Sequence, residues 1–407
     1  MIALAQQTSS HRSNNFDFLR FFLAALVIFS HSFDLIRGSG ANPISHFSRG
    51  QIDGGSLAVG GFFIISGFLV AQSFLNSRSV FDYFKRRILR IYPGFVAAGI
   101  ISLTFFGWLG MHFSPAYWQK VELGSFLLRL PVLKMFWIPQ SFFGNYWPYV
   151  NVPIWTIQYE FACYILIALL GLAGILRFRA FLLILFLPVW LLYVFQIVVG
   201  LSLYKGWEFL IGGAPDNYPY FLSYFFVGTL AFLYRERITY RPGIAALFLI
   251  ATLIIARSGH YLEVLLPFSL CYLLLFVAFY PSIRLHGWGK HGDFSYGLYL
   301  YGWPVQQCLI FLCGSWITGW LLFVLSLPLT LLFAIASWSF IEKRFLRLKQ
   351  RHLSPTSELT GQACVPLSSH APVDIAPGEH RIEHRPHDAG LSGTCPQRDD
   401  GSARLPT

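Results

Sequence analysis

Apolar stretches long enough to cross a lipid bilayer recur from Phe16 to Phe340 of this 407-residue chain. A hydrocarbon core of roughly 30 Å takes about 20 helical residues per crossing. Few other folds admit so many such runs, because in lipid every backbone polar group must be satisfied within its own helix or a closed barrel. The residues are 55% hydrophobic, 18% aromatic and only 12% charged, too little polar surface to cover a water-soluble globule of this size. The expected fold is therefore an all-α polytopic membrane protein with about ten transmembrane helices. Apolar runs read against turn and charge punctuation put these near 16–36, 57–75, 92–111, 153–175, 180–200, 219–234, 243–257, 261–281, 293–313 and 316–340.

Orientation follows from Lys and Arg, which concentrate in cytoplasmic loops. With the N-terminus inside, the clusters Lys85 to Arg90, Arg177 with Arg179, Arg235 to Arg241 and Lys343 to Arg351 all fall on the cytoplasmic side. Only Arg37, Arg49, Lys120, Arg129, Lys134, Lys205 and Arg257 are left outside. Both termini are thus expected in the cytoplasm, in a bacterial-type inner membrane. The net charge of +11 lies in these clusters between spans, a pattern that suits anionic lipid headgroups and not nucleic acid.

Two domains are expected. Residues 1–351 form the membrane domain. Residues 352–407 turn to Ser, Pro, Gly, His and mixed charge, cannot bury enough surface to fold, and read as a disordered cytoplasmic tail. Met1 to Asn15 shows no removable signal pattern. The connection from His112 to Val152 contains an apolar portion broken by Arg129, Pro131 and Lys134, which suggests an interfacial or re-entrant segment on the outer side. The six cysteines make neither a CxxC nor a metal-ligand spacing, and no metal is expected.

Ionisable groups inside apolar spans are expensive and point to function or to a specific pairing. The first span carries Arg20 near its inner end and His31 roughly 16 Å further out. An imidazole there can act as general base on a hydroxyl, with Asp34 on the same helical face to orient the ring. Alternatively, His31 and Asp34 mark the polar outer end of the helix. Arg86, Arg87 and Arg90 can hold phosphate oxygens with help from Arg20, or anchor the chain on anionic lipid. Glu160, in Trp155-Thr156-Ile157-Gln158-Tyr159-Glu160, can orient an arginine or a substrate, or belong to a structural ion pair. Gly54, Gly55, Gly60, Gly61 and Gly67 permit close helix approach.

In order along the chain, the Arg20 to His31 spacing, Phe62-Phe63-Ile64-Ile65-Ser66-Gly67-Phe68, Arg86-Arg87-Ile88-Leu89-Arg90-Ile91-Tyr92-Pro93, Trp155 to Glu160, Ser295-Tyr296-Gly297-Leu298-Tyr299-Leu300 and Ile341-Glu342-Lys343 resemble the motifs of acyltransferase family 3. That family includes O-antigen and exopolysaccharide O-acetylases. The resemblance implies an acyl-CoA donor, acetyl-CoA above all, with no tightly bound cofactor, and a saccharide acceptor. It also implies His31 as catalytic residue and Arg20, Arg87 and Arg90 on the donor side. One departure stands out: many members carry a His shortly before a proline after the Ser-Tyr segment, where this chain reads Tyr301-Gly302-Trp303-Pro304. With only the short tail following, transfer is expected to be completed by the membrane domain alone or with a partner. The competing expectation is a flippase or exporter of a lipid-linked saccharide, with phosphate on the arginines and a proton relay through His31 and Glu160.

Overall fold

The computed structural model describes residues 14–201 and 213–348; the expected disordered tail and most of the N-terminal segment lie outside them. Ten long helices lie among the described residues, and no strand. They are α1 Phe16–Arg37, α2 Gly54–Leu75, α3 Val80–Ile101, α4 Ile157–Leu172, α5 Arg179–Val199, α6 Asn217–Leu233, α7 Pro242–Ser258, α8 Leu262–Phe279, α9 Ser295–Cys313 and α10 Gly319–Ser337. Helix α3 continues through a π-helical stretch to Leu109, α10 does so to Arg347, and a 3-10 turn, Pro153–Thr156, leads into α4.

Seven of these segments, formed by α1 to α5, α8 and α10 with their extensions, are long and apolar enough to cross a membrane. Helices α6 and α7 have 17 residues each. Helix α9 has 19 but spends several on polar side chains, two of which bind neighbouring segments. Gln306 donates to the Ile28 carbonyl and to Ser32 Oγ, both at 2.7 Å, and Gln307 donates to the carbonyls of Trp147 (2.5 Å) and Tyr149 (2.8 Å). A buried amide with partners costs little, so hydropathy understates how deeply α9 sits.

Helix α3 starts at Val80, well before the apolar run that marked it at Tyr92. The Ser79 hydroxyl accepts from the Asp82 amide at 3.1 Å and caps the helix. The basic run Lys85 to Arg90 is therefore helical, and its arginines have fixed directions.

Helix α2 is apolar all round and is accordingly the most enclosed of these seven. It packs on α1, α4, α6 and α8. Its closest approach is to α6. A Cβ on Gly67 would sit 2.0 Å from the Phe225 carbonyl oxygen, and one on Gly228 would sit 2.0 Å from that of Ile64. Thr229 Oγ1 donates across the same crossing to the Gly67 carbonyl at 3.2 Å. Small residues let two backbones touch in lipid, where dispersion and interhelical hydrogen bonds drive association. Gly67→Ala or Gly228→Ala meets main-chain atoms that cannot rotate away. Each should cost more than the about 1–3 kcal/mol of ordinary overpacking, seen as a lowered unfolding midpoint in detergent or as failure to recover folded protein.

The 112–152 connection, with the short helices Ala116–Gln119 and Leu123–Arg129, packs along α3: Tyr92 OH donates to the Pro131 carbonyl at 2.6 Å, and Phe136 lies against Phe95 and Gly99. Its far end is fixed by side chains: Trp147 Nε1 donates to the Asp34 carbonyl (3.2 Å), Asn151 Nδ2 to that of Leu300 (3.0 Å), and Trp303 Nε1 to that of Tyr149 (2.9 Å).

Candidate active site

Two cavities lie on either side of a single layer of side chains. The inner one, 120 Å³, is walled by Arg20 of α1, Ser66 of α2, Arg87 and Arg90 of α3, Glu160 and Tyr164 of α4, and Tyr296 of α9. The outer one, 450 Å³, is walled by His31 and Asp34 of α1, Asp53 and Gly55 at the start of α2, Trp155, Asn217 and Tyr220, Glu263 of α8, and Trp303 of α9. Val59, Thr156 and Tyr299 belong to both walls.

The fold brings three of the four arginines together. Arg20 and Arg90 share one carboxylate oxygen of Asp293, at 3.1 and 2.5 Å, and Arg20 also meets Asp17 at 2.5 Å. Asp293, only 13% exposed in its side chain, is held in turn by the backbone amide of Ser295 (3.2 Å) and its hydroxyl (2.5 Å). Arg87 donates to Ser73 Oγ at 2.9 Å and lies over the Tyr164 ring. The Nε atoms of Arg20 and Arg87 are buried with no acceptor among the described protein groups, so both guanidiniums have donor capacity left for an anion. Arg86 stands apart. It pairs with Asp82 one turn back, at 2.6 Å, and does not line the cavity.

Glu160 accepts from Tyr164 OH (2.6 Å) and Ser66 Oγ (3.2 Å). Its partners are hydroxyls and not a guanidinium, and the carboxyl group lines the arginine-walled space.

At the outer cavity the His31 ring stands edge-on to Trp303, centroids 5.0 Å apart. Gly55 lies beside it: a Cβ there would sit in ordinary contact with His31 Cε1, at 3.6 Å, and tightly against Asp53 Oδ1, at 3.0 Å. Asp34, adjacent on the helix, is committed elsewhere: it accepts from Ala41 N (3.0 Å), Asn42 Nδ2 (3.2 Å) and Ser30 Oγ (3.2 Å), and ties down the loop after α1. His31 is not among its hydrogen-bond partners. The carboxylate flanking Gly55 beside the ring is that of Asp53, which also caps α2 through Ser56 N at 2.9 Å. Asp53, Glu263, Asp293 and the Thr156–Tyr299 pair were not singled out from sequence. Asp53 carried a usable signal, a capping residue directly before an apolar run. Asp293 came just ahead of the Ser-Tyr motif with no pattern of its own.

A family model described as an acyltransferase domain matches residues 13–339. The chain belongs to this acyltransferase family. The match spans every described helix up to α10. This acyltransferase is 29% identical over 364 residues to an O-acetyl transferase of Shigella phage Sf6, covering 84% of this chain and 99% of that protein. It is 25% identical over 374 residues to nodulation protein 10 of Rhizobium leguminosarum bv. viciae, covering 84% and 96%. No solved structure is matched. The ordered motifs thus identify the family, and the geometry sorts them. The first-span, Arg-rich, Trp-to-Glu and Ser-Tyr motifs line the two cavities. Glu342 of the closing motif is buried and accepts from Ser337 Oγ at 3.0 Å.

The arginine cluster makes a testable demand of its own. With Asp293→Asn, Arg20 and Arg90 lose their common counter-charge, and like charges in a partly buried site repel. The variant should unfold at a lower temperature than the parent. Added CoA should raise its midpoint more than it raises that of the parent, because a phosphate then takes the place of the counter-charge that the two shared. Thermal unfolding with and without CoA checks both.

Proposed function

We propose that the protein is a membrane O-acyltransferase that moves an acetyl or other short acyl group from cytoplasmic acyl-CoA to a hydroxyl of a surface or exported polysaccharide. The observation that carries this reading is the pair of adjoining cavities with opposite character: arginine-lined within, and lined by imidazole, carboxylate and tryptophan without. Ten membrane crossings with both termini cytoplasmic would set the arginines on the CoA side and His31 toward the outer face. The O-acetyl transferase relative supports acetyl as the group moved.

In this mechanism Arg20, Arg87 and Arg90 hold CoA phosphates, and the pantetheine arm carries the thioester outward through the shared layer. A sugar hydroxyl in the outer cavity attacks the thioester carbonyl while His31 accepts its proton. The carbon–sulfur bond breaks, the ester stays on the sugar, and the proton passes to the departing thiolate to give free CoA. Asp53 beside the ring stabilises the imidazolium that forms in between. Asp53 and Glu263 are acceptors for sugar hydroxyls, and Trp147, Trp155 and Trp303 offer flat apolar faces for a pyranose ring. No Lys or Arg is among the described residues of this wall, so an uncharged saccharide fits it better than an anionic one.

Purified protein in vesicles, given acyl-CoA and a neutral saccharide, should release free CoA and form a base-labile ester in equal amounts. Movement of a lipid-linked saccharide across the vesicle membrane without CoA release would instead establish the exporter.

A further inference from the structure

We infer that Val59, Thr156 and Tyr299 form a hydroxyl-latched gate that separates the donor thioester from outer-cavity water until the acyl arm fills it, so that this layer decides between transfer and hydrolysis. The inference rests on the acyl-CoA reading above.

The three residues are the shared wall of the two cavities, and their depth follows from helical spacing. His31 meets Gly55 of α2 and Trp303 of α9. Val59 lies four residues inward of Gly55, and Tyr299 four residues inward of Trp303. The gate is therefore one helical turn, about 6 Å, on the cytoplasmic side of His31. A thioester drawn up to His31 leaves its own pantetheine arm lying in this layer.

The hydroxyls are already committed. Tyr299 OH donates to the Pro153 carbonyl, and Thr156 Oγ1 lies 2.5 Å from the Tyr299 oxygen. A phenol has one proton, so with it on Pro153 the Thr156 hydroxyl must be the donor to Tyr299. Both protons are spent within the layer and none faces either cavity. Thr156 is 7% exposed and Tyr299 8%, and Phe62 packs on the Tyr299 ring. With both protons committed, the closed layer offers water no free donor. Water enters only by displacing a latch bond in a space the side chains already fill, whereas the arm's amide groups take over these hydrogen bonds and its chain fills the layer.

Without the latch, water reaches the thioester carbonyl. Its oxygen bonds to the acyl carbon, the carbon–sulfur bond breaks, and the proton ends on the thiolate, giving free acid and CoA. The test compares CoA released without saccharide with ester formed in its presence, in vesicles carrying the parent, Tyr299→Phe, Thr156→Val or Thr156→Ser. The first two variants keep shape and remove hydroxyls. Each should raise the hydrolysis-to-transfer ratio about tenfold, the weight of one lost hydrogen bond, while Thr156→Ser keeps the parent ratio. CoA-dependent thermal protection reports whether each variant is folded. A folded Tyr299→Phe or Thr156→Val with the parent ratio overturns the gate and leaves the acyltransferase reading intact. A parent protein that moves no acyl group overturns both.

Discussion

Replacing His31 with Ala should lower acyl transfer about a thousandfold, the usual weight of a positioned general base, and leave CoA binding unchanged. The two halves of this expectation come from different walls. His31 lines the outer cavity alone and does not face the arginines, so its loss cannot loosen the donor. The ring has no hydrogen-bonded orienting carboxylate among the described contacts and packs edge-on to Trp303 beside Gly55. Asp34→Asn should therefore affect the loop after α1 more than the chemistry, and a rate close to that of the parent is expected if the loop holds. Transfer rate against saccharide, with CoA affinity measured separately, checks both. A His31→Ala enzyme that turns over at the parent rate would remove the general base from the mechanism.

Arg87→Ala should weaken acyl-CoA binding by roughly 10- to 100-fold, the range of one charge-assisted hydrogen bond, with little change in stability. Arg90→Ala should weaken binding similarly and also lower the unfolding temperature. The difference lies in what each guanidinium leaves behind. Arg87 is paired with a serine hydroxyl and an aromatic face, so its removal strands no charge. Arg90 is one of two cations on the largely buried Asp293, and removing it leaves that carboxylate with Arg20 alone. Arg86→Ala, whose partner Asp82 lies one turn back on the same helix and which does not line the cavity, should do neither. KM for acyl-CoA, its dependence on salt and the unfolding midpoint separate the three. Equal loss of CoA affinity in Arg86→Ala and Arg87→Ala would favour lipid anchoring for the whole cluster.

Much of this was legible in the sequence because lipid imposes simple rules. A run of about 20 apolar residues has to be a helix, and all ten expected runs are helices. The rules fail where a helix leaves lipid or packs polar side chains on its neighbours. The basic turns of α3 carry no hydropathy signal and were placed before the helix, although Ser79 marks its true start. Helix α9 looked ordinary until its glutamines were seen to bind α1 and the outer connection.

At the site, the reactive residue types were readable but their pairings were not. Asp34 is His31's neighbour in sequence, yet the carboxylate beside the ring in space is Asp53, which arrives on another helix. Arg86, Arg87 and Arg90 form one cluster in sequence and two faces in the fold, because three or four residues complete a turn and one does not. Thr156 and Tyr299 sat inside motifs without an evident task. Their role as a partition depends on a contact between residues 143 positions apart, which no local pattern encodes.

The most direct test of the central claim uses sealed vesicles with the protein in one orientation, labelled acetyl-CoA confined to its cytoplasmic face and a neutral saccharide confined to the other. The account predicts a base-labile labelled ester on the saccharide, free CoA retained on the donor side, and neither product with His31→Ala. Ester formation only when donor and acceptor share one compartment would contradict it.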